Sequence, residues 1–208
     1  MVQLLPKLDS KPNDSQYFVK QCVSWEQFKT LQSAFAEVGN VRLMYCEGVL
    51  EIMGIGRWHE MICAMLGMLL GQYFLLKGIA FIPTGAYTQS IGGKTEFQAD
   101  LSFNFETEKD ISDLCIEVVV TSGSTKKLKK YQLRQVPEVW FWEDGKITVY
   151  TLEGSEQGSQ YMQSEQSLFL PDLDLRHLEN CLVMDSQLAA MQAFQEKYEG
   201  LKFGAKTE

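Results

Sequence analysis

From Ser24 onward the chain switches between two hydrophobic periods, and each switch marks the edge of an element. Ser24 followed by Trp25, Glu26 and Gln27 has the form of a capping box, and Phe28, Leu31, Ala34 and Phe35 carry a helical stripe on to Gly39. Val41 to Gly54 alternates around "CEG", which predicts a hairpin. An apolar helix follows over residues 57–77, with Gly78 as its stop. Within it, Met61 to Leu76 is sixteen residues without a charge. A membrane span needs about 20 apolar residues. This stretch contains Gln72 and is closed by Lys77-Gly78, with Arg57, His59 and Glu60 at its other end. It is therefore expected in a core or a subunit interface and not in a membrane.

From Ile79 the texture changes to short strands. Phe97, Ala99, Leu101, Phe103 and Phe105 fall on one side, and Gln98, Asp100, Ser102 and Asn104 on the other, a period of two that predicts one strand with one buried side. Leu114 to Thr121 reads as a more fully buried strand, and Thr125 to Gln135 as a short helix. Glu138 to Trp142 and Ile147 to Leu152 flank "EDGK", a hairpin with Asp144-Gly145 at its turn. Glu153 to Asn180 is irregular with strand pieces, and Asp185 to Tyr198 is a closing helix. The order predicts an α/β chain of the mixed α+β kind. One domain spans residues 1–208, with residues 1–23 as an N-terminal tail or edge segment and a C-terminal helix within 183–208.

Composition narrows the class. The 208 residues are 45% hydrophobic and 22% charged, as in an ordinary globular domain with a real core. A net charge of -8 argues against a surface coated in nucleic acid by bulk electrostatics, while leaving room for a local basic groove. The five cysteines show no CxxC spacing and there are two histidines, which disfavours a disulfide framework and a structural zinc site. The N-terminus has no apolar run of signal-peptide type, so a cytoplasmic location is expected.

The stretch "CIEVVVTSGSTKKLKKYQLR" does not read as plain scaffolding. Glu117 interrupts a β-branched run, and four lysines and an arginine crowd into residues 126–134. If the strands at 97–105 and 114–121 pair as a hairpin with Phe105 opposite Leu114, Asp100 faces Val119 and Glu117 faces Ser102. The two acids are then diagonal neighbours on one face, roughly 7–8 Å apart at the backbone. Two carboxylates so placed can share a divalent cation, and hard oxygen ligands suit Mg²⁺ or Mn²⁺. On the helix, Lys126, Lys130 and Arg134 form one stripe, with Lys127 and Tyr131 beside it. A lysine leaning over the acids could orient a water or offset phosphate charge. Each feature also has a plainer reading: an edge-exposed acid, a solvated lysine face, polar residues that any alternating strand must place somewhere. Trp140 and Trp142 read either as core or as base-stacking platforms.

The ordered series "EGVLEIMG", "RWHEMI", "FQADLSF", "LCIEVVVTSGS", "KKLKKY" and "VPEVWFWEDG" resembles the PD-(D/E)xK nuclease superfamily, and within it the Uma-type family of bacterial restriction-endonuclease-like proteins, formerly a domain of unknown function. The resemblance runs from about Glu47 to Gly145. It implies a restriction-endonuclease-like core, a mixed central sheet flanked by helices. By position, Asp100 matches the motif's Asp and Glu117 its second acid, together the metal ligands. Lys127, four residues before Tyr131, matches the family's lysine, and His59 a family histidine whose plain alternative is capping or packing. Ala99 stands in place of the motif's proline, and Val119 where the superfamily lysine would follow Glu117 by two.

The implied activity is metal-dependent hydrolysis of phosphodiester bonds in DNA, with Asp100, Glu117, Lys127 and His59 at the site, Mg²⁺ or Mn²⁺ as cofactor, and Lys126, Lys130 and Arg134 on phosphates. The alternative is a catalytically silent module of the same fold that binds nucleic acid or a protein partner. Cutting both strands of a duplex and covering the apolar helix both favour a homodimer.

Overall fold

The computed structural model describes residues 16–85, 87–119, 124–154 and 158–199, with the side chains of residues 124–126 outside that description. The chain runs β1 (Tyr17–Lys20), α1 (Trp25–Ala34), β2 (Val41–Cys46), β3 (Val49–Gly54), α2 (Arg57–Lys77), β4 (Phe81–Pro83), β5 (Thr88–Ile91) and β6 (Thr95–Gln98). It continues β7 (Leu101–Phe105), β8 (Leu114–Val119), α3 (Ser124–Arg134), β9 (Glu138–Glu143), β10 (Lys146–Glu153), β11 (Gln160–Ser164), α4 (Leu175–Leu182) and α5 (Gln187–Glu199).

Two sheets result. An antiparallel one has the order β1-β3-β2-β6-β5, and a mixed one the order β11-β10-β9-β8-β7-β4. In the mixed sheet β8 and β9 are parallel, and α3 is the crossover that parallel neighbours need. The fold is mixed α+β. The tight turns follow from sequence: Glu47-Gly48 and Asp144-Gly145 both take positive φ at two successive positions, as two-residue hairpins require. Ser24 makes the full capping box on α1 with Gln27, and Gly78 ends α2 in the left-handed conformation.

The mixed sheet is buried on both faces, which is why β8 and β9 read as continuous apolar runs. Leu114, Ile116, Val118, Trp140 and Trp142 face the core built with α2, α4 and α5. Cys115, Val119, Val139 and Phe141 face a second core with Tyr131 of α3 and Met44, Phe97 and Ala99. Both tryptophans are therefore core residues, out of reach of a stacking base.

Four expectations are corrected. The single strand over 97–105 is two strands in different sheets, β6 and β7, separated at Ala99-Asp100. Its polar side is not solvated: Asp100, Ser102 and Asn104 are all buried. The β7–β8 register sets Phe103, not Phe105, opposite Leu114, because Phe105 pairs with Phe81 of β4 and donates its N–H to the Asp113 carboxylate. Finally, α4 lies in a stretch expected to be irregular; Asp174 caps it, accepting from the His177 N–H at 2.9 Å. Of the strand expected over 114–121, residues 120 and 121 lie outside the described residues, as do residues 1–15 and 200–208 of the terminal segments.

Candidate metal and acid–base centre

The β7–β8 register decides where the acids stand. The ladder ends at Leu101 opposite Ile116, which leaves Asp100 just before β7 beside the stretch of β8 that carries Glu117. A two-residue shift from the expected register preserves the face, since side chains alternate with period two. The acids thus stand on neighbouring chain segments, the Asp100 carboxylate among groups of β2 and α2 and the Glu117 carboxylate facing α3. Asp100 keeps one ladder bond, from its N–H to the Ile116 carbonyl at 3.1 Å, and then the chain leaves the sheet toward β6.

Each carboxylate has its own set of partners. Asp100 Oδ1 accepts from Arg42 of β2, and Oδ2 from the Val118 N–H at 2.8 Å. His59 Nε2, from the first turn of α2, stands 3.1 Å from Oδ2. Burial alone would favour a neutral Asp100, but His59, Arg42 and the Val118 N–H outweigh it and hold its carboxyl below the ordinary range. Burial likewise opposes a charged His59, and the Asp100 hydrogen bond and charge reverse that and raise its pKa.

Glu117 lies in β8 facing α3. Its Oε1 takes the Lys130 ammonium at 2.7 Å and the Tyr131 hydroxyl, while Oε2 has Lys127 at 3.9 Å. Burial pushes the Lys130 pKa down, but the charges of Glu117 and Glu51 lift it above the ordinary value. Burial and Glu117 together raise the Tyr131 phenol well above its usual range. Lys127 and Lys130 are only 4% and 2% exposed, so both chains cover the site instead of reaching solvent.

Of the residues expected from sequence, Asp100, Glu117, His59 and Lys127 are brought together. Lys130 is corrected: it belongs to this cluster and not to a phosphate-facing stripe. Residues 127, 130 and 131 share a helix face through i,i+3 and i,i+4 spacing, and that face turns inward. Arg134 is not free on such a stripe either, since it donates to the Asp110 carbonyl at 3.1 Å. The Lys126 side chain lies outside the described residues.

Sequence reasoning missed Arg42, Tyr17 and Glu51, all from the first sheet. The Tyr17 hydroxyl hydrogen-bonds Glu51, and burial together with Glu51 raises its pKa. Glu51 Oε2 is buried without a hydrogen-bond partner among the described residues. Its side of β3 was visible as the acid in "VLEIM", but nothing local announces that this hairpin folds over α3. Asp100 and Glu117 are hard oxygen donors of the kind that suits Mg²⁺ or Mn²⁺, ions that need only one or two carboxylates beside water, so the chemistry of the residues present fits such an ion.

Comparisons with known proteins place this geometry in context. A family model described as "Uma2: Putative restriction endonuclease" matches residues 25–190, a span that contains every site residue above except Tyr17. No curated protein matches the chain. Among solved structures, the chain is similar to a protein from Anabaena variabilis ATCC 29413 described as a "putative nuclease belonging to DUF820". The two share 14% identity over 83% of this chain and 99% of the other, with a TM-score of 0.45.

Proposed function

Given that the chain belongs to the Uma2 restriction endonuclease family, we propose that it is an endonuclease that hydrolyses phosphodiester bonds in DNA with the help of Mg²⁺ or Mn²⁺. The observation that supports this reading is that Asp100 and Glu117 are both buried beside the same end of β8, Asp100 through the Val118 N–H, with two lysines of α3 on Glu117.

Asp100 and Glu117 would hold the metal, with Glu51 as a third oxygen source. When bound, such an ion supplies Lewis acidity to the phosphoryl oxygen and lowers the pKa of its water. The chain's own residues do the rest. Lys130 and Tyr131 engage Glu117 Oε1, which leaves Oε2 as the oxygen free to bind, with the Lys127 ammonium beside it. From there Lys127 can orient an attacking water or offset charge developing on the phosphate. His59 and the Val118 N–H fix Asp100 Oδ2, and so its orientation.

The test is plasmid cleavage by purified protein with Mg²⁺, Mn²⁺ or EDTA. Nicking or cutting is expected with either ion and none with EDTA, and Asp100→Asn should abolish it, because the ion would lose a ligand. An Asp100→Asn protein as active as the wild type would falsify the assignment. A second reading, a silent module of the same fold, is favoured by one observation: both Asp100 oxygens already have protein donors, as in a structural pair. Titration calorimetry with Mn²⁺ separates the two, since the silent module gives no heat of binding.

A further inference from the structure

We infer that the same centre holds a second, thiophilic metal site, in which His59, Cys63 and Asp100 bind a zinc-class ion that competes with the hydrolytic metal for Asp100. The competition rests on the function proposed above; the site itself does not.

His59 and Cys63 sit one turn apart on α2, at i and i+4, and both face the bend that carries Asp100. All three side chains are buried, and one ligand atom from each lies within 4.8 Å of the other two. The spacing is close to what zinc imposes. With Zn–N of 2.0–2.1 Å, Zn–O of 2.0–2.2 Å and Zn–S near 2.3 Å, tetrahedral angles set N and O about 3.4 Å apart and N and S about 3.6 Å apart. Here His59 Nε2 is 3.1 Å from Asp100 Oδ2 and 3.9 Å from Cys63 Sγ. Sγ is also 3.7 Å from Nδ1, so a side-chain rotation that swings the thiol from the face of the ring toward the Nε2 edge would complete three bonds and leave one position open.

The surroundings agree with this use. His59 Nδ1, the nitrogen not facing Asp100, is 3.4 Å from Glu60 Oε1, the carboxylate partner that metal-binding imidazoles commonly have. The ion takes the place of the proton between His59 and Asp100 and of the thiol proton, so binding releases protons. The Arg42 guanidinium on Asp100 Oδ1 sets the selectivity. Its charge opposes any second cation, so the site favours an ion that gains from sulfur and nitrogen bonds over one held by charge alone. An ion on Asp100 Oδ2 removes that carboxylate from the Mg²⁺ site, so zinc should inhibit.

An internal control exists in the fold. His177 and Cys181 repeat the i,i+4 pair on α4, with Sγ 3.6 Å from Nε2, and no carboxylate completes a third ligand there among the described residues.

The experiment is titration of reduced, chelator-treated protein with Co²⁺ as a coloured stand-in for Zn²⁺, read by the thiolate-to-cobalt absorption band. One equivalent should bind with the band present and be displaced by Zn²⁺. Cys63→Ser should lose the band and bind at least tenfold more weakly, while Cys181→Ser keeps both. Circular dichroism of each variant checks folding, and His59→Gln, which leaves the thiol in place, should weaken Co²⁺ as much as Cys63→Ser does. No band in the wild type, or a band that survives Cys63→Ser, overturns the site. In a second arm, Zn²⁺ should slow Mg²⁺-driven plasmid cleavage at least tenfold in the wild type and less than twofold in Cys63→Ser, each against its own zinc-free rate. Cobalt binding without inhibition overturns the competition alone. A protein that cuts nothing but shows the band overturns the nuclease reading and leaves the metal site standing.

Discussion

At the scale of single residues, the buried acids differ in what surrounds them, which pattern alone left open. Glu96 is the structural case. It is buried, and its carboxylate accepts from Lys29 at 3.1 and 3.2 Å, Gln32 at 2.6 Å and Ser90 at 3.1 Å, tying α1 to the first sheet four residues before Asp100. Burial works to raise its pKa, and those donors overcome it and hold the value below the ordinary one. An acid whose folded pKa is depressed contributes stability above its unfolded pKa and loses it as pH falls through the folded one. Glu96→Gln should therefore cost about 1.5–3 kcal/mol at pH 7, the range for hydrogen bonds to a charged group. The gap to the wild type, read from urea midpoints, should close as pH is lowered through the acid range; an unchanged gap at pH 3 would show that Glu96 acts through shape and not charge. Asp100 and Glu117, each buried among cationic side chains from other elements, were both legible from sequence. They remain close along β8, with the Val118 N–H on Asp100, although the β7–β8 register differs by two from the expected one. Arg42 and Glu51 were not legible, since each meets the site across 58 and 66 residues of sequence (100 minus 42, and 117 minus 51), where no local period speaks. Lys130 failed for a different reason: i,i+4 spacing joined it to the wrong stripe, while its i,i+3 neighbour Lys127 was the informative one.

At the scale of elements, the same contrast appears between local and long-range causes. Caps and turns followed from residues next to one another, so α1, α2 and both two-residue hairpins lie where Ser24, Gly78, Gly48 and Gly145 put them. The split at Ala99-Asp100 carries no such mark, because alternation continues unbroken across it while Phe97 joins one core and Phe103 another. That split is what turns Asp100 toward α2. The α4 helix was legible in principle: Asp174 as cap, with Leu175, Leu178, Cys181 and Leu182 at helical spacing. The segment leading to it packs Leu170 and Leu173 into the core and is also tied down by one polar side chain. Glu138, at the start of β9, accepts from Trp140 Nε1 at 2.7 Å, from the Ser167 hydroxyl at 2.6 Å and from the Leu168 N–H at 2.5 Å. Glu138→Ala would strand three donors at once, each costing about 1–3 kcal/mol when left unpaired in the interior. The expected loss is about 4 kcal/mol or more in denaturant unfolding, since two of the three sit in buried residues and water can reach the third. Glu138→Gln, which retains one acceptor oxygen, should lose less than half as much. Equal losses would mean that the volume of the side chain, not its acceptors, anchors the segment.

At the scale of the whole molecule, α2 is the element with most left to explain. It is long and apolar enough to cross a membrane, yet half of its most apolar window is buried in the protomer, against the mixed sheet, α4 and α5. What remains outside is a stripe. Met68 is half exposed and Leu75 is 79% exposed, seven residues and two turns apart, with Gly71 between them. A glycine there costs the helix about 1 kcal/mol relative to alanine, and a Cβ at Gly71 would meet nothing within 4 Å, so nothing inside the protomer requires it. A bare backbone flanked by two large apolar side chains is suited to close approach by a second helix. A two-fold axis through this stripe would bring the same residues together from both copies, Leu75 of one against Met68 of the other. Fully burying a leucine side chain is worth about 1.5–3 kcal/mol, and symmetry doubles every contact. The chain is therefore expected to be a homodimer at micromolar concentration by light scattering, and Leu75→Glu should make it a monomer with unchanged far-ultraviolet circular dichroism. A monomeric wild type ends the idea of a dimer altogether. A Leu75→Glu protein that stays dimeric moves the interface off α2, to another of the exposed apolar positions such as Phe18 or Leu188.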